Sequence, residues 1–176
     1  MSNFQSTCNI TFKGYILKQL VISVSFRMVR VTEVFGDLFS SNASLVHCIS
    51  ADARMSRGIA LQFRHRFGRV HEIRRRITRM GSVVVLQHQN RFIYNLITKW
   101  YHYDKPTYAS LVQSLYQMKQ HIITNRVSCI SMPQIGCGLD QLSWSNVKAL
   151  LYHIFDDCNL DIYVYQLPRI QFSAYS

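Results

Sequence analysis

Short β-rich runs alternate with segments of helical periodicity along most of the chain, and this alternation restricts the fold more than any other feature. The predicted strands are Val29–Val34, Leu45–Ile49, Val83–Leu86, Phe92–Thr98, Val127–Ser131 and Asp161–Tyr165. The polar segment Gln87–Arg91 separates the third strand from the fourth, which indicates a hairpin. Helical patterns separate the second strand from the third, the fourth from the fifth and the fifth from the sixth, and this order is typical of a layered α/β domain with a partly parallel sheet.

Four helices are expected from the spacing of their apolar residues. The first is Ile59–Phe67, ended by Gly68, and the second runs from Val70 through Met80 to a stop at Gly81. The third begins after the N-cap residue Thr107 and carries Leu111, Leu115, Met118 and Ile122. The fourth begins after the N-cap residue Ser143 and carries Val147, Leu150, Leu151 and Ile154.

The composition fits one globular domain, because 176 residues with an apolar content of 48% can bury a sizeable core. The longest apolar run, Leu20–Phe26, is far shorter than the ~20 residues of a membrane span, so no membrane partner is expected. The cysteine count is odd, and the cysteines and histidines lack the spacing of a disulfide framework or a metal site. We therefore expect reduced thiols, no metal and no cofactor. The cysteines are Cys8, Cys48, Cys129, Cys137 and Cys158.

Residues 1–29 differ from the rest because they contain no acidic residue, the first one being Glu33. We interpret them as an N-terminal extension, with one strand at Leu20–Phe26, before a domain that spans residues 30–176. The alternatives are a plain tail, an extra edge strand and a mitochondrial transit peptide, which is also poor in acidic residues. The expected location is the nucleus or the cytoplasm, and the mitochondrion is the alternative.

Two glycines one residue apart, Gly136 and Gly138, follow the fifth predicted strand in the segment Ser131–Asp140. Because glycine lacks a Cβ, backbone N–H groups can turn toward a ligand there, and such a nest suits a diphosphate. The alternative is a tight strand-to-helix connection without a ligand. A second segment, His47–Phe63, leads through a polar loop to a helix N-terminus, which favours an anion. Alternatively, that loop only caps the helix.

Five short motifs occur in order along the chain. They are Gly36-Asp37-Leu38-Phe39, His47-Cys48-Ile49-Ser50, Arg54-Met55-x-x-Gly58-Ile59-Ala60, Lys105-Pro106-Thr107-Tyr108 and Ser131-Met132-Pro133-x-Ile135-Gly136-Cys137-Gly138-Leu139-Asp140. With them the chain resembles the macrodomain superfamily, and above all the terminal ADP-ribose protein glycohydrolases and the related antitoxins against DNA-modifying ADP-ribosyltransferases. The likeness runs from about Arg30 to about Tyr165. It implies binding of ADP-ribose and a three-layer α/β/α fold with a mixed, largely parallel central sheet.

The resemblance also implies a role for each matching residue. Asp37 would accept a hydrogen bond from the adenine amino group, although an aspartate after Gly36 can equally cap a turn. Lys99 matches the catalytic lysine and Asp140 the catalytic carboxylate, where a solvated charge and a helix-start residue are the ordinary alternatives. The other residues expected around the ligand are Leu38, Ser50, Met55, Arg57, Gly58, Ile59, Pro133, Ile135, Gly136, Cys137, Gly138 and Leu139.

The expected activity is removal of mono- or terminal ADP-ribose from proteins modified on Glu or Asp. O-acetyl-ADP-ribose deacetylation and release from nucleic acid are related activities. A neutral amine of Lys99 can attack the anomeric carbon of the distal ribose to give a Schiff-base-type adduct, while an adjacent carboxylate moves protons. Burial favours the neutral amine, whereas the carboxylate favours the ammonium. The alternatives are a reader module that binds ADP-ribose or poly(ADP-ribose) without turnover, and a basic nucleic-acid-binding protein.

A basic stretch from Arg64 to Arg79 contributes much of the formal net charge of +11. It is either a solvated helix face or a platform for poly(ADP-ribose), RNA or DNA, whose binding would weaken with salt. Arg57 stands where the vertebrate-type glycohydrolase pattern has a small residue, so both modified protein and modified nucleic acid stay open as substrates. We expect the protein to be a monomer.

Overall fold

The computed structural model describes residues 28–167, so the predicted strand Leu20–Phe26 lies outside the described residues. The strands are β1 (Arg30–Phe35), β2 (Ser44–Ser50), β3 (Val83–His88), β4 (Arg91–Lys99), β5 (Cys129–Pro133) and β6 (Asp161–Gln166). The helices are α1 (Gly58–Phe67), α2 (Val70–Arg76), α3 (Tyr108–Thr124) and α4 (Trp144–Ile154), with a short 3-10 helix at Leu38–Ser40. Within this part of the chain, no helix combines the length and the apolar character needed to cross a membrane.

All six strands form one sheet in the order β1-β6-β5-β2-β4-β3. β3 runs antiparallel to β4, and every other neighbouring pair is parallel. This arrangement confirms the predicted hairpin and the mixed, largely parallel sheet. Because parallel strands end at the same edge of a sheet, the carboxyl ends of β2, β4 and β5 lie side by side, where α/β proteins commonly bind ligands.

Residues that alternate along the strands divide the core into two clusters. Leu45 and Ile49 of β2 pack in the cluster that includes α1 and α2. Val46 lies between them in sequence and packs in the cluster that includes α3 and α4. In the same way, Ile93 of β4 belongs to the first cluster and Tyr94 to the second. Helices therefore cover both faces of the sheet, which confirms the three-layer α/β/α fold.

The second helix is shorter than its apolar spacing predicts. It ends at Arg76 instead of continuing to Met80, and Ile77 is already extended, with φ −72° and ψ 118°. The chain must leave the helix there to join the sheet, since the amide of Gly81 donates to the carbonyl of Ile97 at 2.7 Å. The prediction of a helix that stops at Gly81 was wrong because sheet pairing takes over before the helical pattern runs out.

Two helix starts were predicted from N-cap residues, and only one makes the expected cap. The Thr107 hydroxyl accepts from the amide of Ser110 in a reciprocal capping box. Ser143 occupies the N-cap position of α4, but its hydroxyl contacts that of Ser145 and caps no backbone amide. The sequence therefore predicts where a helix starts better than it predicts which hydrogen bond caps its first turn.

A buried histidine joins the central strands of the sheet. His47 of β2 has no exposed surface, stacks on Phe63 with ring centroids 3.7 Å apart, and places Nε2 2.8 Å from Oδ1 of Asn95. The Asn95 amide in turn donates to the carbonyl of Val84 at 3.0 Å. Burial lowers the pKa of His47 to about 4, so its ring is neutral in the folded protein at neutral pH.

This histidine predicts an acid dependence of stability. Between an unfolded pKa of about 6.5 and the folded value, the unfolded chain binds a proton that the folded chain does not. We therefore expect the free energy of unfolding to fall by up to ~3 kcal/mol as the pH drops through this window. The measurement is urea unfolding of the wild type and of His47→Gln across the window. The prediction is wrong if the two proteins show the same pH dependence.

Candidate functional site

A cleft of about 630 Å³ opens at the carboxyl ends of β2, β4 and β5. Twelve of the fifteen residues predicted from the sequence line it. They are Ser50, Met55, Arg57, Gly58, Ile59, Lys99, Pro133, Ile135, Gly136, Gly138, Leu139 and Asp140. A larger, more open groove of about 740 Å³ lies along β3 and α3, and none of the predicted site residues lines it. The chemistry-bearing residues therefore converge on the first cleft alone.

Lys99 and Asp140 meet inside this cleft. Lys99 is the last residue of β4, and Asp140 lies in the loop after β5, 41 residues later. Nζ of Lys99 donates to Oδ1 of Asp140 at 2.6 Å, and both side chains are mostly buried, with exposed fractions of 13% and 14%. An amine and a carboxylate at this distance can exchange a proton without either side chain moving.

The cysteine thiols near the cleft are not competing nucleophiles. Burial raises the pKa of Cys48, which lines the cleft, to about 12. Burial likewise raises the pKa of Cys137, in the loop after β5, to about 11. Only the thiolate is strongly nucleophilic, so both groups are unreactive at neutral pH. These two thiols therefore do not compete with the amine of Lys99, which stays the predicted nucleophile.

The loop between β2 and α1 forms one wall of the cleft in a strained conformation. Ala53 and Met55 have positive φ angles of 48° and 45°, which cost non-glycine residues of order 1–3 kcal/mol each. Neighbouring contacts hold the loop, since the amide of Ala51 donates to the carbonyl of Lys99 at 2.8 Å. At the start of α1 the amides of Gly58 and Ile59 donate to no acceptor within the described residues. These amides are available to an anion.

The loop between β5 and α4 forms the facing wall. Gly136 has a φ of 73°, which strains a residue with a Cβ, and a Cβ there would lie 2.8 Å from Cδ1 of Leu142, so the fold favours glycine at this position. In contrast, a Cβ at Gly138 would meet nothing within 4 Å. The amides of Gly138 and Leu139 have no acceptor among residues 28–167, which gives this wall free donors as well. Two sets of unpaired amides across one cleft suit a diphosphate.

Three predicted residues do not line the cleft. Asp37 caps the 3-10 helix by accepting from the amide of Phe39 at 3.0 Å, and its side chain is about half exposed. Leu38 is buried in the core cluster that includes α1 and α2, whereas Cys137 is partly buried against the cluster that includes α3 and α4. The capping role of Asp37 is therefore present in the structure, while its contact with adenine stays a prediction.

Sequence analysis missed the segment that follows Lys99. His102, Tyr103, Asp104 and Lys105 line the cleft. The amine of Lys105 donates to the carbonyl of Leu139 and so ties this segment to the opposite wall. The sequence signal was its position directly after the lysine, together with the run of aromatic residues.

Asp52 anchors the missed segment to the first loop. Its Oδ2 accepts from the amide of His102 at 3.1 Å and lies 3.1 Å from Nδ1 of the same ring. Desolvation alone would raise the pKa of Asp52, but hydrogen bonds from Ser50, His102 and the amide of Arg54 outweigh it and lower the pKa to about 2. The carboxylate is therefore charged at neutral pH and keeps both loops in place. In the described part of the chain, no three His, Cys, Asp or Glu side chains group as metal ligands would.

Comparisons with known proteins agree with this geometry. The chain is 48% identical over 140 residues to ADP-ribose glycohydrolase OARD1 of Bos taurus, a match that covers 78% of this chain and 92% of that protein. It is 27% identical over 135 residues to DNA ADP-ribosyl glycohydrolase of Thermus aquaticus, covering 70% of this chain and 37% of that protein. No model of a known protein family matches the chain.

A solved structure shares the fold. The macrodomain of Thermus aquaticus DarG superposes with a TM-score of 0.69 at 25% identity, covering 78% of this chain and 99% of that one.

The two glycines of the second loop provide a matched test of the cleft wall. Gly136→Ala introduces both a clash with Leu142 and a positive-φ penalty, so we expect it to lower the free energy of unfolding by ~1–3 kcal/mol. Gly138→Ala introduces no clash, and we expect a change below about 0.5 kcal/mol. Urea denaturation of both variants measures the difference. Equal stability losses would contradict this account of the loop.

Proposed function

This chain belongs to the macrodomain family of ADP-ribose glycohydrolases, and on that premise we propose that it releases ADP-ribose from modified macromolecules through Lys99 and Asp140. The observation that carries the proposal is the 2.6 Å contact between their side chains, inside a cleft with unpaired amides on both walls. The amides supply donors for the diphosphate. The amine and the carboxylate then lie beside the distal ribose.

The proposed reaction begins with proton transfer. Asp140 takes a proton from the Lys99 ammonium across their hydrogen bond, which leaves a neutral amine and a carboxylic acid. The amine bonds to the anomeric carbon of the distal ribose, and the bond from that carbon to the Glu or Asp oxygen of the target breaks. The target leaves as its carboxylate. Asp140 releases its proton to solvent and is again a carboxylate. Water then bonds to the same carbon as the carbon–nitrogen bond breaks, and Asp140 passes the proton that the water gives up to the departing amine of Lys99.

The substrates proposed for this site are proteins that carry mono- or terminal ADP-ribose on Glu or Asp. Release of the acyl group from O-acetyl-ADP-ribose needs the same recognition of ADP-ribose and belongs to the same proposal. Asp37 is proposed to accept from the adenine amino group, because its side chain is about half exposed and its second oxygen, 3.9 Å from Nη2 of Arg66, does not cap the 3-10 helix. Cys137 and Leu38 are proposed to contribute through their backbone, since the Leu38 side chain is buried.

A variant of the lysine tests the enzyme proposal. Lys99→Ala removes the nucleophile, so we expect ADP-ribose release from an automodified transferase to fall by ~10³-fold or more. Calorimetry should still detect binding of free ADP-ribose, because the backbone amides remain. Lys148→Ala is the matched control, since Lys148 also pairs with a carboxylate, Glu33, at 2.8 Å, but lies on α4. We expect this control to release ADP-ribose at the wild-type rate.

The outcomes separate the competing functions. Full activity of Lys99→Ala would rule out the lysine mechanism. Micromolar binding of ADP-ribose by the wild type, with no product on prolonged incubation, would favour a reader module. Salt-dependent binding of RNA or DNA with no response to ADP-ribose would favour a basic nucleic-acid-binding protein and exclude both other functions.

A second candidate function, binding of poly(ADP-ribose) or nucleic acid along Arg64–Arg79, is favoured by where two of these arginines lie. Arg64 donates to the carbonyl of Arg54, and Arg74 donates to the carbonyl of Asp52, both in the first wall of the cleft. Other arginines of the stretch are already paired, since Arg69 and Arg76 both contact Glu72. Arg64 and Arg74 therefore bring positive charge beside the cleft.

A further inference from the structure

A group of exposed aromatic side chains directly follows the catalytic lysine proposed above. Trp100, Tyr101 and Tyr103 have exposed fractions of 51%, 52% and 70%. The rings of Tyr101 and Tyr103 are stacked, with centroids 5.3 Å apart and an interplanar angle of 11°. Isolated exposed apolar residues are ordinary, but an exposed cluster of large rings generally marks a surface that binds something.

The chain holds these rings in place. The amide of Tyr101 donates to Oδ2 of Asp104 at 2.8 Å, and the amide of Asp104 donates back to the carbonyl of Tyr101 at 3.0 Å. Between the two tyrosines, His102 is fixed by its contacts with Asp52. The flat faces are therefore preorganised, which lowers the entropic cost of placing a ligand against them.

Positive charge lies next to the segment that carries these rings. Nη1 of Arg54 lies 3.3 Å from Nε2 of His102, and the exposed side chains of Arg64 and Arg74 contact the loop that carries Arg54. The acidic residues close by, Asp52 and Asp104, are both occupied by hydrogen bonds with this segment. Cations next to stacked rings form the combination that binds the phosphates and the bases of a single strand.

We propose that single-stranded nucleic acid binds this surface, defined as Trp100–Tyr103 with Arg54, Arg64 and Arg74. Bases stack on the tyrosine pair, and phosphates pair with the arginines. An acidic peptide would use the arginines but would have no need of flat ring faces, so the rings favour the nucleic acid. Tyr103 lines the cleft, so a bound strand lies at the entrance to Lys99. Binding of the strand to this surface does not depend on the proposed function. Only a role of the strand in catalysis, which follows from its position at the cleft, rests on that function.

The test is fluorescence anisotropy of an unmodified, labelled single-stranded DNA of about twelve nucleotides, within the range of known site sizes. We expect Tyr101→Ala and Tyr103→Ala each to weaken binding about tenfold, the loss typical of one base stack. Tyr103→Phe should bind like the wild type, because it keeps the ring. Tyr152→Ala removes a similarly exposed tyrosine from α4 and should leave the affinity unchanged.

Salt dependence tests the cationic part of the surface. Affinity should fall steeply between about 50 mM and about 200 mM salt, and Arg54→Gln should reduce the slope of the logarithmic plot by about one. Arg126→Gln is the matched control, because Arg126 is an exposed arginine just after α3, at the opposite end of that helix from this surface. We expect its slope to equal that of the wild type.

Three results would overturn the inference. The first is wild-type binding by both tyrosine-to-alanine variants. The second is tighter binding of a glutamate-rich peptide than of the strand, with losses only in Arg54→Gln. The third is a wild-type protein that binds free ADP-ribose in calorimetry but no strand, in which case the proposed function survives. If the wild-type protein binds neither free ADP-ribose nor the strand, both proposals are wrong.

Discussion

The hydrogen bond between Nζ of Lys99 and Oδ1 of Asp140, 2.6 Å long, depends on the parallel order of three strands. β2 lies between β4 and β5, so the chain segments that leave these strands emerge at one edge of the sheet. One segment supplies the amine, one the carboxylate, and the third the loop that faces them. Any topology that reversed β4 or β5 would place the amine and the acid at opposite ends of the molecule.

The conformation of the cleft walls is held by buried structure behind them. Positive φ angles at Ala53 and Met55 are unfavourable, but both side chains are buried, which opposes relaxation of the loop. Behind the loop, His47 stacks on Phe63 and contacts Asn95, so β2, β4 and α1 form one packed unit. The unpaired amides of the cleft walls are tolerated because they face solvent. Water accepts their hydrogen bonds when no ligand is bound.

The positive side chains behind the net charge of +11 make different contacts in different parts of the fold. Glu72 pairs with Arg69 and Arg76, and Arg66 lies over the ring of Phe39 at 4.3 Å. These contacts stabilise the local structure, and Glu72 offsets part of the positive charge of Arg69 and Arg76. The arginines that touch the first loop stand at the cleft instead. The charge counted along the sequence therefore does not reveal where on the fold the positive side chains lie.

Periodicity and glycine placement alone determined the strands, most helix positions and the two ligand-facing loops, because burial in a layered fold imposes a local pattern on each element. The resemblance to the macrodomain superfamily also pointed to Lys99 and Asp140. Tertiary structure alone decided where α2 ends, because pairing between the chain near Gly81 and β4 overrides the helical pattern. Tertiary structure also decided that Leu38 is buried and that His102 and Tyr103 reach the cleft. These outcomes depend on packing between segments about 50 or more residues apart, so the local sequence pattern does not reveal them.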